Sequence, residues 1–124
     1  MSCDVAKFTI TKDLDNTFVF TIKADGSTLP MVIEAADTFT ASLVNLETDS
    51  VVDSWTKGAG IEVTNAGGGQ ITLTILSAET TPLVKERGSK ADRYYVRPTH
   101  QLVIDCTTTN NGKFIAKVPE IYVD

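Results

Sequence analysis

Over much of this chain, apolar residues recur at every second position. Phe8 and Ile10 alternate with Lys7, Thr9 and Thr11. Phe18, Phe20 and Ile22 alternate with Thr17, Thr21 and Lys23, and Ile71, Leu73 and Ile75 with Gln70, Thr72 and Thr74. Two later runs, Leu102-Ile104-Cys106 and Phe114-Ala116-Val118, repeat the pattern. Successive side chains of a strand point to opposite faces, so a period of two predicts strands with one face buried. The abundance of Thr, Val and Ile suits such pleated surfaces.

Turn chemistry separates these runs. Lys12-Asp13-Leu14-Asp15-Asn16 joins the first two, and Asp25-Gly26-Ser27 closes the second. Lys57-Gly58-Ala59-Gly60 precedes a short strand over 61–64, which Asn65-Ala66-Gly67-Gly68-Gly69 ends; Asn110-Asn111-Gly112 joins the last two runs. Gly and Asn accept positive φ and so make tight hairpins. Many short strands between such turns argue for an all-β sandwich or barrel, and the architecture expected is a sandwich of about seven to nine strands. Helical signal is confined to residues 77–84, with Ser77 as a candidate N-cap and Pro82 limiting the length to about one turn. Residues 28–37 read either as an edge strand or as a crossing loop, because Pro30 has no ladder donor.

At 124 residues the chain is expected to form one domain over 1–124. With 42% hydrophobic and 22% charged residues it matches neither a disordered tail nor a collagen-like chain. Its longest apolar runs are a few residues, against the roughly 20 of a membrane-spanning helix, so no membrane partner is expected. The net charge of −5 opposes phosphate binding, so no nucleic acid is expected either. The first residues show no basic segment followed by an apolar one, which predicts synthesis in the cytoplasm without a secretory leader. Two cysteines make no disulfide framework; Cys3 and Cys106 are expected to remain thiols, Cys106 as a small core residue.

Candidate chemistry is sparse. His100 is the one histidine, and any Ser-His-Asp or Cys-His set would need it. No strained nucleophile turn accompanies it, and it reads as a partly exposed residue at a strand end. Asp13, Asp15 and Asn16 resemble part of a calcium loop but lack its later oxygen ligands, and read instead as side chains capping a turn. Gly67-Gly68-Gly69 leads into a strand, not the helix a phosphate loop requires. No catalytic, metal or cofactor site and no small-molecule substrate is therefore expected. The charged stretch 85–93, with Lys85, Arg87, Lys90 and Arg93 and with Arg97 just beyond, is a solvated loop or a contact patch for an acidic partner. Tyr94 and Tyr95 must face opposite ways in a strand, which makes an exposed Tyr95 a candidate contact; Trp55 reads as core or rim. The apolar Ile121-Tyr122-Val123 could add a strand to a neighbour, and 1–5 and 119–124 are candidate docking tails.

The order of elements resembles small β-sandwich domains of tailed-phage virions. The similarity runs through Phe8-Thr9-Ile10-Thr11-Lys12-Asp13-Leu14-Asp15-Asn16-Thr17-Phe18-Val19-Phe20, then Asp37-Thr38-Phe39-Thr40-Ala41-Ser42-Leu43. It continues with Gly69-Gln70-Ile71-Thr72-Leu73-Thr74-Ile75 closed by Glu79-Thr80-Thr81-Pro82-Leu83, a strand at 94–97 and a final hairpin over 100–118. The nearest type is the immunoglobulin-like N-terminal domain of phage baseplate upper proteins and related tail or head accessory proteins. The charged connection over 84–93 is longer than in that pattern. The resemblance implies an antiparallel immunoglobulin-like sandwich. It also implies a non-enzymatic structural subunit of the virion, in contact with other virion proteins and with copies of itself. The alternative from the residues is a carbohydrate- or ligand-binding module using Trp55 and Tyr95. A small enzyme built on His100 and a carboxylate ranks below both.

Overall fold

The computed structural model describes residues 2–3, 7–23, 29–83 and 98–123. Within them the alternating runs become β1 (Ser2–Cys3), β2 (Lys7–Ile10), β3 (Asn16–Lys23), β4 (Thr38–Asn45) and β5 (Ser50–Lys57). β6 (Gly60–Asn65), β7 (Gln70–Ile75), β8 (His100–Thr108) and β9 (Gly112–Val123) follow, with one helical turn, α1 (Ser77–Thr80), after β7. Hydrogen bonds join the strands in the order β1-β3-β7-β6-β5-β4-β8-β9-β2. The ends of this order come together. Phe8 on β2 stacks on Phe18 of β3 with ring centroids 3.9 Å apart and lies 5.7 Å from Phe20. The result is a single mixed sheet curled almost into a barrel.

The all-β expectation holds. The orders β1-β3-β7-β6 and β5-β4-β8-β9-β2 outline two layers, but not the clear two-sheet immunoglobulin-like sandwich that the resemblance implies. The layers are not cleanly separate, because β5 and β6 stay hydrogen-bonded. The purely antiparallel expectation is corrected at two places: β2 runs parallel to β9, and β5 parallel to β6 over Thr56–Gly60 and Lys57–Ile61. The second arises from a tight coil in the chain. Gly60 takes φ 101, and a Cβ there would sit 2.6 Å from Trp55 Cδ1, so glycine lets the chain return against the indole.

Most residues that the alternation places inward are buried, while Phe8, Phe18 and Phe114 are partly buried against the core. Phe20, Ile22, Ile71, Leu73, Ile75, Leu102, Ile104, Cys106, Ala116 and Val118 are all buried in one core. Each large aliphatic or aromatic among them contributes roughly 1.5–3 kcal/mol. Cys106 packs as a core residue, its Sγ 3.6 Å from the Ile104 carbonyl. Residues 28–37 are settled in favour of a crossing segment in their described part. The Met31 N–H donates to Ile22 O (2.8 Å) and the Ile33 N–H to Ala66 O (2.9 Å). Both side chains are buried and close one end of the curled sheet.

Bulges shift the register at three places, in β5, β6 and β9. In β9, Leu102 faces Val118 but His100 faces Ile121, so one extra residue falls at Pro119-Glu120. Proline, with no N–H to offer the ladder, suits that position. The extra residue reverses the parity, and Ile121 and Val123 both become fully buried. Residues 119–123 are therefore not a docking tail. Val123 and Ile121 pair with Ile10 and Phe8 of β2 inside the chain's own sheet. At the other tail, Ser2 and Cys3 pair with Lys23 and Ile22. In β5 the extra residue is Val52, between the pairs Leu43–Asp53 and Val44–Val51.

Candidate functional site

Polar side chains gather at both ends of the sheet. At the end carrying the β8–β9 turn, Asp37 is 1% exposed. Its Oδ1 accepts from the Thr109 N–H (2.8 Å) and hydroxyl (3.1 Å), and its Oδ2 from the Glu34 N–H (2.8 Å). Lys57 Nζ donates to the Ala35 and Asp37 carbonyls, each at 2.8 Å. Burial alone would raise the pKa of this carboxyl. The Glu34 and Thr109 hydrogen bonds and the Lys57 charge outweigh it and hold the carboxyl below its usual value. Asp37 thus clamps the crossing segment to the β8–β9 turn.

At the opposite end the β2–β3 turn is clasped to α1. Asp15 Oδ1 accepts from the Ser77 N–H (2.7 Å). The Asp13 N–H donates to Thr80 Oγ1 (2.9 Å), and the Thr81 hydroxyl donates to Asp13 Oδ1 (2.8 Å). Asn16 Oδ1 accepts from the Thr11 N–H, and its Nδ2 donates to the Thr11 and Leu14 carbonyls. These are capping roles, as the sequence suggested for the partial calcium-loop pattern. The helix begins one residue earlier than expected: Leu76 is its N-cap, and Ser77 its first residue.

Glu79 is the hub of this end. Its Oε1 accepts from the Leu76 N–H and its Oε2 from Trp55 Nε1, both at 2.9 Å. On one side lies a cleft of about 480 Å³ where β5 and β6 diverge, lined by Trp55, Glu62, Thr74 and Leu76. On the other a cleft of about 470 Å³ is lined by Asn45, Val52, Asp53, Pro82, Leu83 and His100. The sequence picked out His100 but neither carboxylate beside it. Glu79 is 24 residues from its Trp55 partner, and no local motif announces the pair.

His100 is 1% exposed, not partly exposed as expected, because it opens β8 on the inward face. Its Nδ1 is 2.7 Å from Thr99 Oγ1, and burial holds its pKa down, favouring neutral imidazole. Burial raises the Asp53 pKa, and the nearby Glu79 carboxylate adds to the rise against the opposing Ser54 N–H. Asp53→Asn is therefore expected to raise stability at neutral pH, by less than about 1 kcal/mol after solvent screening. The sign follows from linkage: a raised carboxyl pKa favours the fold at low pH, and that benefit fades as pH rises through it. Thermal melts of both chains at pH 7 and at about pH 3 check this; the gain should vanish in acid.

The remaining sequence candidates fall as follows. Lys85, Arg87, Lys90, Arg93, Tyr95 and Arg97 lie outside the described residues, as does the strand expected over 94–97. Tyr122 is half-buried between the buried Ile121 and Val123. Trp55 is 4% exposed, with its N–H on Glu79 and Gly60 against its indole, so it offers no stacking platform to a sugar. Gly67-Gly68-Gly69 forms the β6–β7 turn, where the Gly68 N–H donates to Asn65 Oδ1. Among the described residues no group of three or more His, Cys, Asp and Glu side chains could hold a metal ion. No described helix is long and apolar enough to cross a membrane. Neither the protein-family models nor the curated proteins compared with the chain gave a match.

The sequence missed the outer side of β5. Its apolar pair, Val51 and Val52, is adjacent and not alternating because of the bulge, which hides the strand from a period-two search.

Proposed function

We propose that this chain is a non-enzymatic structural component of a tailed-phage particle, acting through contacts with other virion proteins and with copies of itself. The observation that carries the protein-contact part is the open side of β5. Val51 and Val52 are 61% and 44% exposed there, next to backbone groups with no strand beyond them among the described residues. Such an edge invites strand addition, a common mode of assembly. The placement in a virion is supported by the layout of strands and turns along the sequence.

Quantitative mass spectrometry of particles purified from the source tests the reading. The chain should be present at a fixed copy number. About six to a few dozen copies fit a neck, baseplate or fibre ring, and hundreds a tail-shaft or capsid-surface component, since closed symmetry dominates such assemblies. Absence from particles would overturn it.

A further inference from the structure

β5 is paired along its length with β4, but with β6 only at Thr56 and Lys57. Among the described residues, the outer side of 50–55 therefore meets no strand. The Thr56 N–H points to that side, where it donates to Ala59 O (3.1 Å). Backbone alternation puts the Ser54 N–H on the same side. Its acceptor is the Asp53 carboxylate at 2.8 Å, not a neighbouring strand. Val51 and Val52 on this strand and Leu46 in the adjoining β4–β5 turn are all exposed apolar residues.

The rim of this edge is acidic. Glu47 and Asp49 occupy the β4–β5 turn, Asp53 lies on the strand, and Glu79 stands next to Asp53. Lys57, the lysine of β5, is held by the Ala35 and Asp37 carbonyls at the far end. Asp53 and Glu79 thus repel one another at a half-buried position.

We propose that the open side of β5 accepts an extended strand from a partner protein, one that alternates aliphatic residues with Lys or Arg. The proposal rests on the reading that the chain works through protein contacts, and it names the surface and the partner chemistry. Main-chain hydrogen bonds to the outer side of 50–55 supply the docking, and Val51 and Val52 meet the partner's aliphatic side chains. A partner cation pairs with Asp53 and Glu79, which draws the Asp53 carboxylate away from the Ser54 N–H and exposes that donor to the incoming strand. Until then the carboxylate and the Val52 bulge guard the edge, as charges and bulges do at sheet edges generally. A second copy of this chain would add its own Glu47, Asp49 and Asp53 to an edge that is already acidic, so the edge selects a basic partner strand over a second copy, and contacts between copies fall on other surfaces.

The test titrates the isotopically labelled chain with a synthetic Lys-Val-Lys-Val-Lys-Val peptide, followed by amide NMR. Two control peptides carry Glu in place of Lys, or N-methylated amides along one edge. Shifts should concentrate at 50–54. The Glu peptide should bind at least about tenfold more weakly, and the N-methylated one should not bind. Asp53→Asn, expected to fold at least as well as the parent, should weaken the Lys peptide about fivefold. Shifts elsewhere, no shifts, or equal binding of the Lys and Glu peptides would overturn the proposal. Self-association of the chain through 50–54 at neutral pH would assign the edge to a second copy and also overturn it. The virion reading fails separately: the peptide result stands or falls whether or not the chain occurs in particles.

Discussion

Replacing Asp37 by alanine is expected to destabilise the chain by about 3 kcal/mol, lowering the midpoint of thermal unfolding by roughly 12 °C. The carboxylate accepts from two backbone N–H groups on different segments, Glu34 and Thr109, and from the Thr109 hydroxyl. Alanine removes the acceptor of these part-buried hydrogen bonds and the negative partner of the Lys57 charge. A hydrogen bond to a charged group contributes roughly 1.5–3 kcal/mol, and Asp37 accepts three, while water reaching the exposed Glu34 and Thr109 offsets part of the loss. The same clamp sets a pH response. The folded-state pKa lies below the ordinary value of 3.8, so Asp37 binds its proton less readily in the fold than in the unfolded chain. Its contribution is complete above that ordinary value and is lost as pH falls through the depressed one. Circular-dichroism melts from about pH 6 to about pH 2 should show parent and Asp37→Ala converging in acid. A constant gap down to the lowest pH would show that the carboxylate does not act through its charge.

Gly69→Ala is expected to cost a similar amount, about 3 kcal/mol. Gly69 has φ 67, where a Cβ strains the backbone. That Cβ would also fall 2.7 Å from both the Ile22 and Met31 carbonyl oxygens and 3.1 Å from the Met31 nitrogen. Neither contact can relax cheaply. The Ile22 N–H donates to Gly69 O at 2.9 Å and the Met31 N–H to Ile22 O at 2.8 Å, which locks all three residues together. The neighbouring Gly67 is the control: the nearest atom to its added Cβ is 4.0 Å away, and Gly67→Ala should change stability by no more than about 0.5 kcal/mol. Denaturant midpoints of the two variants measure the contrast, and equal midpoints would contradict this account of the turn.

Gly69 also shows how far the sequence could be read. Asn65-Ala66-Gly67-Gly68-Gly69 announced a hairpin, and Ile71, Leu73 and Ile75 announced the strand after it, because both signals are local. What made one particular glycine irreplaceable was not local. It is the crossing of 31–33 against the turn, a contact between segments more than thirty residues apart. That crossing carries Met31 and Ile33 inward with no ladder to give them a period. The bulges had the same effect: an extra residue at Val52 hid β5, and one near Pro119 sent Ile121 and Val123 into the core, where the sequence suggested a docking tail.

The polar sites were less legible still. Asp13, Asp15 and Asn16 stood out because turn residues cluster in sequence, and their capping roles follow from that clustering. Asp37, Asp53 and Glu79 stood out from nothing around them. Each gains its role from a partner far along the chain, Thr109 and Lys57 for Asp37, Glu79 for Asp53 and Trp55 for Glu79, brought near only when the sheet curls. The open side of β5 is of the same kind, since it is defined by the strand that, among the described residues, does not lie beside 50–55.

The chain's proposed role as an assembly subunit that docks through β5 is tested most directly by hydrogen exchange, comparing the isolated chain with the chain in purified particles. The account predicts new protection at the outward amides of 50–54, Ser54 foremost, with the Asp37 clamp and the core strands unchanged. Protection gained on the outer face of β3, β7 and β6 while 50–54 exchange as in the isolated chain would contradict it.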